Sequence, residues 1–234
     1  MTTVIRDIKV FIDRQKVYRH LGLQEDTEPN QRLSAAIDRQ MERAYELIEP
    51  LACYSILPIT GIKDSNIFIG SYTLKSSILT KILSNCQHIA IFVKTIGDKL
   101  ERKTAQLSNK GSTLEAYVLD AIGSAALAEV TDPLIDKIRA IAVADGNKIT
   151  SSFSPGQIDW NNIQQKTIFN LIDAQSIGIR LTDTFMMIPA KSVSGIFGIG
   201  KLKIGQDRIT PCRFCNKQNC PDRREPFMPQ MKWD

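Results

Sequence analysis

Two stretches decide how this chain reads: Ser151-Ser-Phe-Ser-Pro-Gly-Gln-Ile-Asp-Trp160 and Leu181-Thr-Asp-Thr-Phe-Met-Met-Ile-Pro-Ala-Lys-Ser-Val-Ser-Gly-Ile-Phe-Gly-Ile-Gly200. From Ser192 to Lys203 the second alternates with the period of a β-strand, interrupted by Gly195, Gly198 and Gly200. Glycine and proline at such positions fix turns and let another backbone or a ligand approach the main chain. The small hydroxyl residues beside them offer donors and acceptors without filling space. Loops and a strand around a polar ligand site are expected here, rather than plain core.

Outward from these segments, Ser112 to Ala144 carries the strongest helical spacing, with Thr131-Asp132-Pro133 in its middle. Proline there kinks the helix or begins a new one, with Asp132 as its cap. Gln164 to Asp173 reads as a further helix, with Trp160 anchoring the preceding loop against it. Toward the N-terminus, Gly97 opens a helix carrying Asp98 to Leu107, and His88 to Val93 is a buried-strand run. Leu74 to Asn85 has helical spacing. Ile67-Phe-Ile-Gly70 is a short strand, with Gly61 and Asp64 in the turn before it, and Leu51 to Ile59 is another. Pro50 stops a helix that starts at Glu28-Pro-Asn-Gln-Arg and runs through Met41 to Ile48. Residues 5–21 form an amphipathic opening, either a strand running into a helix or one irregular helix, ended by Gly22. Helices and strands do not alternate regularly, which predicts an α+β domain with a twisted, mainly antiparallel sheet rather than a doubly wound one. The simplest division is one domain over 1–205 and a cysteine-containing appendage over 206–234.

With 234 residues, 43% of them apolar and 24% charged, the chain can bury an ordinary core. Its net charge of +5 is mild. Part of the excess sits at the C-terminal end, where Lys201, Lys203, Arg208, Arg213, Lys217, Arg223, Arg224 and Lys232 outnumber Asp207, Asp222, Glu225 and Asp234. Aromatic and basic residues do not interleave as single-strand binders require, so nucleic acid is not an expected partner. The first residues carry charges where a signal peptide needs an apolar run, and no stretch approaches the roughly 18 apolar residues of a spanning helix. A cytoplasmic protein without membrane contact is expected. Five cysteines, an odd number, argue against a disulfide framework.

Successive helical residues step by about 100°, which puts Glu129 on the stripe of Leu114, Val118, Ile122 and Ala125. A carboxylate on a buried stripe must be paired, capped or protonated; alternatively the stripe ends near Pro133 and Glu129 reaches water. Cys212-Arg-Phe-Cys215 followed by Cys220 gives a C-x2-C-x4-C pattern that suits zinc or an iron–sulfur cluster, with Cys53, Cys86, His88 or Asp222 as candidate fourth ligand. Three separate reduced thiols are the plainer alternative. His20 and His88 read as packed or surface residues rather than catalytic bases, and Met186-Met187 as core.

Taken together, Ser154-Pro155-Gly156, Leu181-Thr182 with Met186 and Pro189, and Ser192-Val193-Ser194-Gly195 resemble the activation domain of cobalamin-dependent methionine synthase, including freestanding proteins similar to it. Ile12-Asp-Arg with Val17-Tyr-Arg-His-Leu-Gly22, Asp120-Ala-Ile-Gly-Ser124 and Leu127-Ala-Glu129 add to the likeness. The resemblance implies a single α+β domain that binds S-adenosylmethionine and docks over a corrinoid, so that an inactive cobalt centre is reduced and remethylated. It implies that Ser152, Phe153, Ser154, Pro155, Gly156 and Gln157 line the S-adenosylmethionine site. Lys191, Ser192, Val193, Ser194 and Gly195 would lie near the corrinoid, and Glu129 would match an acidic residue of the reactivation step. Two positions depart from the family pattern: Ser152 stands where it has arginine, and Gln157 where it has tyrosine. The first removes a charge-assisted contact to the ligand carboxylate, which Arg180 or Lys191 would have to supply, and the second removes a flat packing surface.

The expected function is therefore a freestanding methyltransferase component of methionine synthesis. It would act on cobalamin carried by a corrinoid-binding protein or by methionine synthase core subunits. The alternative is a noncatalytic docking or assembly factor that has lost the cosubstrate and keeps a metal-binding cysteine tail.

Overall fold

In a computed structural model of the chain, which describes residues 1–24 and 27–228, Ser192–Gly200 is one strand that runs through Gly195 and Gly198 and shifts its register on the neighbouring strand only at Gly200. In chain order the elements are β1 (Thr3–Ile5), α1 (Arg14–His20), α2 (Gln31–Leu47), β2 (Leu51–Pro58), β3 (Gly61–Lys63), β4 (Asn66–Ile69), β5 (Tyr72–Lys75), α3 (Ser77–Ile82) and β6 (Cys86–Thr95). There follow α4 (Lys99–Asn109), α5 (Thr113–Glu129), α6 (Thr131–Ala144), β7 (Lys148–Ile149), α7 (Gln165–Leu171), β8 (Arg180–Leu181), β9 (Met187–Ile188) and β10 (Ser192–Gly200). Five strands make an antiparallel sheet in the order β1-β2-β6-β10-β7. The result is the expected α+β class: one domain with a curled antiparallel sheet flanked by helices.

Strand side chains alternate between the faces of a sheet, and here both faces are covered. Ala52, Tyr54, Ala90, Phe92, Phe197 and Ile199 join a first core with α1, α2, α5 and α6. Cys53, Ile89, Ile91, Val93 and Ile196 join a second core under α3, α7 and the small β3-β4-β5 sheet. Cover on both faces explains why β6 reads as a nearly continuous apolar run. The glycines of β10 serve this packing. A Cβ on Gly198 would meet Leu83 Cδ2 at 2.4 Å, and one on Gly200 would meet the Asn85 carbonyl oxygen at 2.2 Å.

Local signals account for most helix limits. The Asn30 side chain accepts the Leu33 amide and caps α2, and the helix stops before Pro50. Helix α5 is apolar almost all round because α1, α2, α4 and the sheet surround it. Its Gly123 lets α4 come close, since a Cβ there would sit 2.6 Å from Leu100 Cδ2. The helical run breaks at Val130, and α6 starts afresh with Pro133 in its first turn, where a missing N–H costs nothing. Asp132 is not the cap; it lies in that first turn, where its charge suits the helix dipole.

Two expectations fail locally. Leu74 belongs to β5, not to a helix, and α3 is confined to Ser77–Ile82. Gly61 starts β3, and the turn is carried by Asp64 at φ 55°. The alternation of this small sheet is too short to outweigh helical spacing in the sequence. Beyond β10, Ile209 is buried in the second core with Phe214 packed against it, and Gln206 donates to the Ile82 carbonyl at 2.5 Å. Lys232 and Asp234 lie outside the described residues. No helix among the described residues is long and apolar enough to cross a membrane.

Candidate functional site

Phe153 pairs with Ile196 through two main-chain hydrogen bonds of 3.0 and 2.8 Å, so the loop after β7 extends the sheet beside β10. This bridge brings the two sequence stretches together. The Phe153 ring is buried in the second core, and the neighbouring Ser152 and Ser154 face a cleft of about 860 Å³ on the opposite side. The cleft is also lined by Gln157, Lys191 and Val193, by Phe92 and Lys94 of β6, and by residues of α1, α5 and α6. Pro221 to Arg224 of the C-terminal segment close one side.

The loop owes its shape to its own contacts. Gly156 adopts φ 89°, and a Cβ there would lie 2.4 Å from Asn162 Oδ1. Its amide donates to the Trp160 carbonyl at 2.7 Å, and the buried Trp160 indole donates to Gln164 at 3.0 Å, so the tryptophan anchors the loop as expected. Gln157 folds back, its Oε1 accepting the Ser154 amide at 2.9 Å. One main-chain donor of the loop is therefore already engaged.

The expected site residues divide by this geometry. Ser152, Ser154, Gln157, Lys191 and Val193 come together on the cleft. Phe153, Ser192 and Ser194 do not present side chains to it: Ser192 bonds Thr95, and Ser194 donates to Gln165 beneath the sheet. Pro155 is buried, and Gly156 borders a separate shallow depression with Asn162. Gly195 contributes by its missing side chain, since a Cβ would meet the Phe153 carbonyl oxygen at 2.5 Å. Lys191 is held by Ser124 at 2.7 Å and Asp120 at 2.9 Å, whereas Arg180 borders a different cavity. Of the two candidate substitutes for the absent arginine, only Lys191 lines the cleft.

Glu129 resolves the question raised by its stripe. Val118, Ile122 and Ala125 are fully buried, and the Glu129 carboxylate, mostly covered, is paired with Lys16 Nζ at 2.5 Å. Lys16, not Glu129, lines the cleft.

Lys94 was not singled out from the sequence, because the apolar run reads as ending at Val93. Strand alternation gives the missing signal: Ala90, Phe92 and Lys94 share one face, so the lysine points into the helical layer. It is 4% exposed. It reaches the break between α5 and α6, donating to the Leu127 carbonyl at 2.7 Å and to the Thr131 hydroxyl. Burial, followed by the nearby Arg224 charge, pushes its pKa down to about 7.

The C-terminal wall is organised by one guanidinium. Arg223 donates to the carbonyls of Cys212 at 3.1 Å, Cys215 at 2.7 Å, Lys217 at 2.8 Å and Glu225 at 2.9 Å. His20 lies 3.3 Å from Asp222 and joins this wall to α1. Cys212 Sγ accepts the Arg224 amide at 3.5 Å. Among the described residues no three His, Cys, Asp or Glu side chains are grouped to hold a metal, so the reading of Cys212, Cys215 and Cys220 as zinc or iron–sulfur ligands finds no support. The suggested fourth ligands Cys53 and Cys86 are buried in the second core, where burial raises both thiols to about 12. Met186 is 62% exposed, which corrects its assignment to the core.

Replacing Arg223 with alanine is expected to release residues 212–225 while leaving the rest of the domain folded. Limited trypsin digestion should then cut at Arg213 and Lys217 at least tenfold faster, with unchanged denaturation of the body. Arg223→Lys should not rescue, because an ammonium lacks the planar fork that gathers several carbonyls.

Residues 154–201 match a family model described as "Vitamin B12 dependent methionine synthase, activation domain". No curated protein matches the chain. A solved structure described as "Crystal Structure of the MetH Reactivation Domain bound to AdoHcy" superimposes with a TM-score of 0.66 at 15% identity, over 85% of this chain and 78% of that one. The matched segment contributes Ser154 and Gln157 of the loop, Ala190 and Lys191, and Val193 of β10 to the cleft. Within this fold, then, it is the segment 154–201 that is similar to the activation domain of vitamin B12 dependent methionine synthase.

Proposed function

We propose that this chain is an activation component of corrinoid-dependent methyl transfer. It binds S-adenosylmethionine in the cleft and docks over cobalamin carried by a corrinoid-binding protein or methionine synthase core, in the reductive remethylation of an inactive cobalt centre. The supporting observation is that the family-like segment 154–201 is also the segment that forms the loop-and-strand wall of the cleft. A volume of about 860 Å³ is of the size that small-molecule pockets have. When bound, S-adenosylmethionine supplies the methyl group. The chain's own part is orientation: Ser152 and Ser154 offer hydroxyls, and Lys191, fixed by Asp120 and Ser124, offers a cation to the ligand carboxylate. Glu129 acts through Lys16 as a positioning residue, since it is the ammonium that lines the cleft. In this reading, residues 1–205 carry the activity and, of the appendage 206–234, Pro221 to Arg224 supply the closing wall.

Calorimetric titration with S-adenosylhomocysteine tests the proposal, and saturable binding to one site is expected. The double variant Ser152→Arg with Gln157→Tyr should tighten it about tenfold, because a charge-assisted hydrogen bond contributes roughly 1.5–3 kcal/mol. No heat at millimolar ligand, from the parent and the double variant alike, would remove the cosubstrate from the proposal. One observation favours a second reading, a docking or assembly factor without cosubstrate: Gln157 already occupies the Ser154 amide. That reading requires binding to a corrinoid protein unaffected by S-adenosylhomocysteine.

A further inference from the structure

The charges around the cleft are unevenly chosen. Lys16, Arg19, Lys94, Lys191, Arg223 and Arg224 line it, against only two carboxylates, Asp132 and Asp222. Lys16 and Lys191 have their own counter-ions in Glu129 and Asp120, and Arg223 is committed to carbonyls. Neither the Arg19 nor the Arg224 guanidinium makes a hydrogen bond or ion pair among the described residues. Lys94 lines the same cleft, 4% exposed, with two of an ammonium's three donors used, on Leu127 and Thr131. A buried cation without a carboxylate partner is a costly arrangement, and its cost falls when an anion arrives.

We infer that the part of the cleft lined by Arg19, Lys94 and Arg224 is a subsite for a phosphate group. A forked guanidinium matches a tetrahedral oxyanion with two parallel donors, and two guanidiniums together with a buried ammonium suit a multiply charged phosphate better than a lone carboxylate. The two guanidiniums come from α1 and from the C-terminal segment, which the His20–Asp222 pair already brings together, so one anion can engage both elements. The phosphate can belong to a free nucleotide or to the nucleotide loop of a corrinoid. This inference rests on the cleft being a ligand site, as proposed above, but not on that ligand being S-adenosylmethionine.

Binding carries a pH dependence of definite sign. Around Lys94 the charged groups are Lys16 on α1, Asp132 on α6, and Asp222 and Arg224 on the C-terminal segment, with His20 beside them. With its pKa lowered to about 7, Lys94 is largely neutral at pH 8.5 and must take up a proton to meet an anion. Affinity should therefore rise as pH falls toward 6.5.

The test is calorimetry of the full chain at low salt with inorganic pyrophosphate, ADP, cyanocobalamin and dicyanocobinamide, which lacks the nucleotide loop. Pyrophosphate should bind saturably and about tenfold more tightly at pH 6.5 than at pH 8.5. Arg19→Ala and Arg224→Ala, both surface changes, should each weaken it at least threefold, and Lys94→Met should abolish the gain in affinity at low pH. A gain for ADP over pyrophosphate assigns the phosphate to a free nucleotide; a gain for cyanocobalamin over dicyanocobinamide assigns it to the corrinoid. No saturable pyrophosphate binding at millimolar concentration, or binding indifferent to both arginine variants, overturns the inference. S-adenosylhomocysteine binding without pyrophosphate binding would sink this inference and leave the proposed function standing. The converse would sink the cosubstrate and leave the subsite.

Discussion

Gly195→Ala is expected to destabilise the protein by about 2–3 kcal/mol, near the top of the range for overpacking a close-packed site. The added Cβ would lie 2.5 Å from the Phe153 carbonyl oxygen, 2.8 Å from Phe92 Cζ and 2.9 Å from Ser154 Oγ. None of the three can withdraw cheaply. The carbonyl accepts the Ile196 amide at 2.8 Å, and moving it would break the bridge that holds the loop to the sheet. The Phe92 ring is buried against Phe197, with centroids 5.0 Å apart. Ser154 is the cleft hydroxyl next to the Phe153 bridge, so the variant should lose ligand affinity as well as stability. Gly61→Ala is the control, because its Cβ would meet only Phe68 at an ordinary 3.6 Å. Its effect should stay within about 0.5 kcal/mol. Urea denaturation of both variants decides the matter. Equal stabilities would mean that loop and strand are not in the close contact on which the cleft depends.

The same bridge explains what the sequence could reveal. Glycine and small-residue spacing in 151–160 and 192–200 pointed to close backbone approach, and the structure brings the two stretches into contact. Period and capping residues located most helices, because Asn30, Gly97 and Pro133 act locally. What escaped depends on tertiary placement. Ser192 and Ser194 look like ligand-binding hydroxyls in sequence, yet the parity of β10 turns them away from the cleft while Val193 faces it. Phe153 is directed into the second core by the same two-residue alternation. Glu129 was found as an acid on an apolar stripe, but its partner Lys16 lies 113 residues away in the chain. The C-x2-C-x4-C pattern suggested a metal; the organising group of that segment is Arg223, whose neighbours in the sequence give no hint of four carbonyls.

Lys94→Met is expected to stabilise the domain at neutral pH while harming the cleft. The lysine is lowered from an ordinary 10.5 to about 7, chiefly by burial. Below pH 7 it is charged in folded and unfolded chains alike, and the folded state bears the whole cost of burying the charge. At about 1.4 kcal/mol for each tenfold change in proton affinity, that cost is about 5 kcal/mol. Between about 7 and 10.5 the folded state releases the proton first, so the penalty shrinks as pH rises and vanishes above the unfolded value. Methionine carries no such penalty and is flexible enough to fill the space. It leaves the Leu127 carbonyl and the Thr131 hydroxyl without their partner, a loss of about 1–3 kcal/mol. The variant should therefore be more stable than the parent by about 2 kcal/mol at pH 6–7 and less stable by a similar amount near pH 10, with the curves crossing between. Denaturation at pH 6, 8 and 10 measures this directly, and parallel curves would show that Lys94 is not a buried titrating group. A buried lysine that costs stability at neutral pH fits a residue whose role is binding, since stability is commonly given up at functional sites.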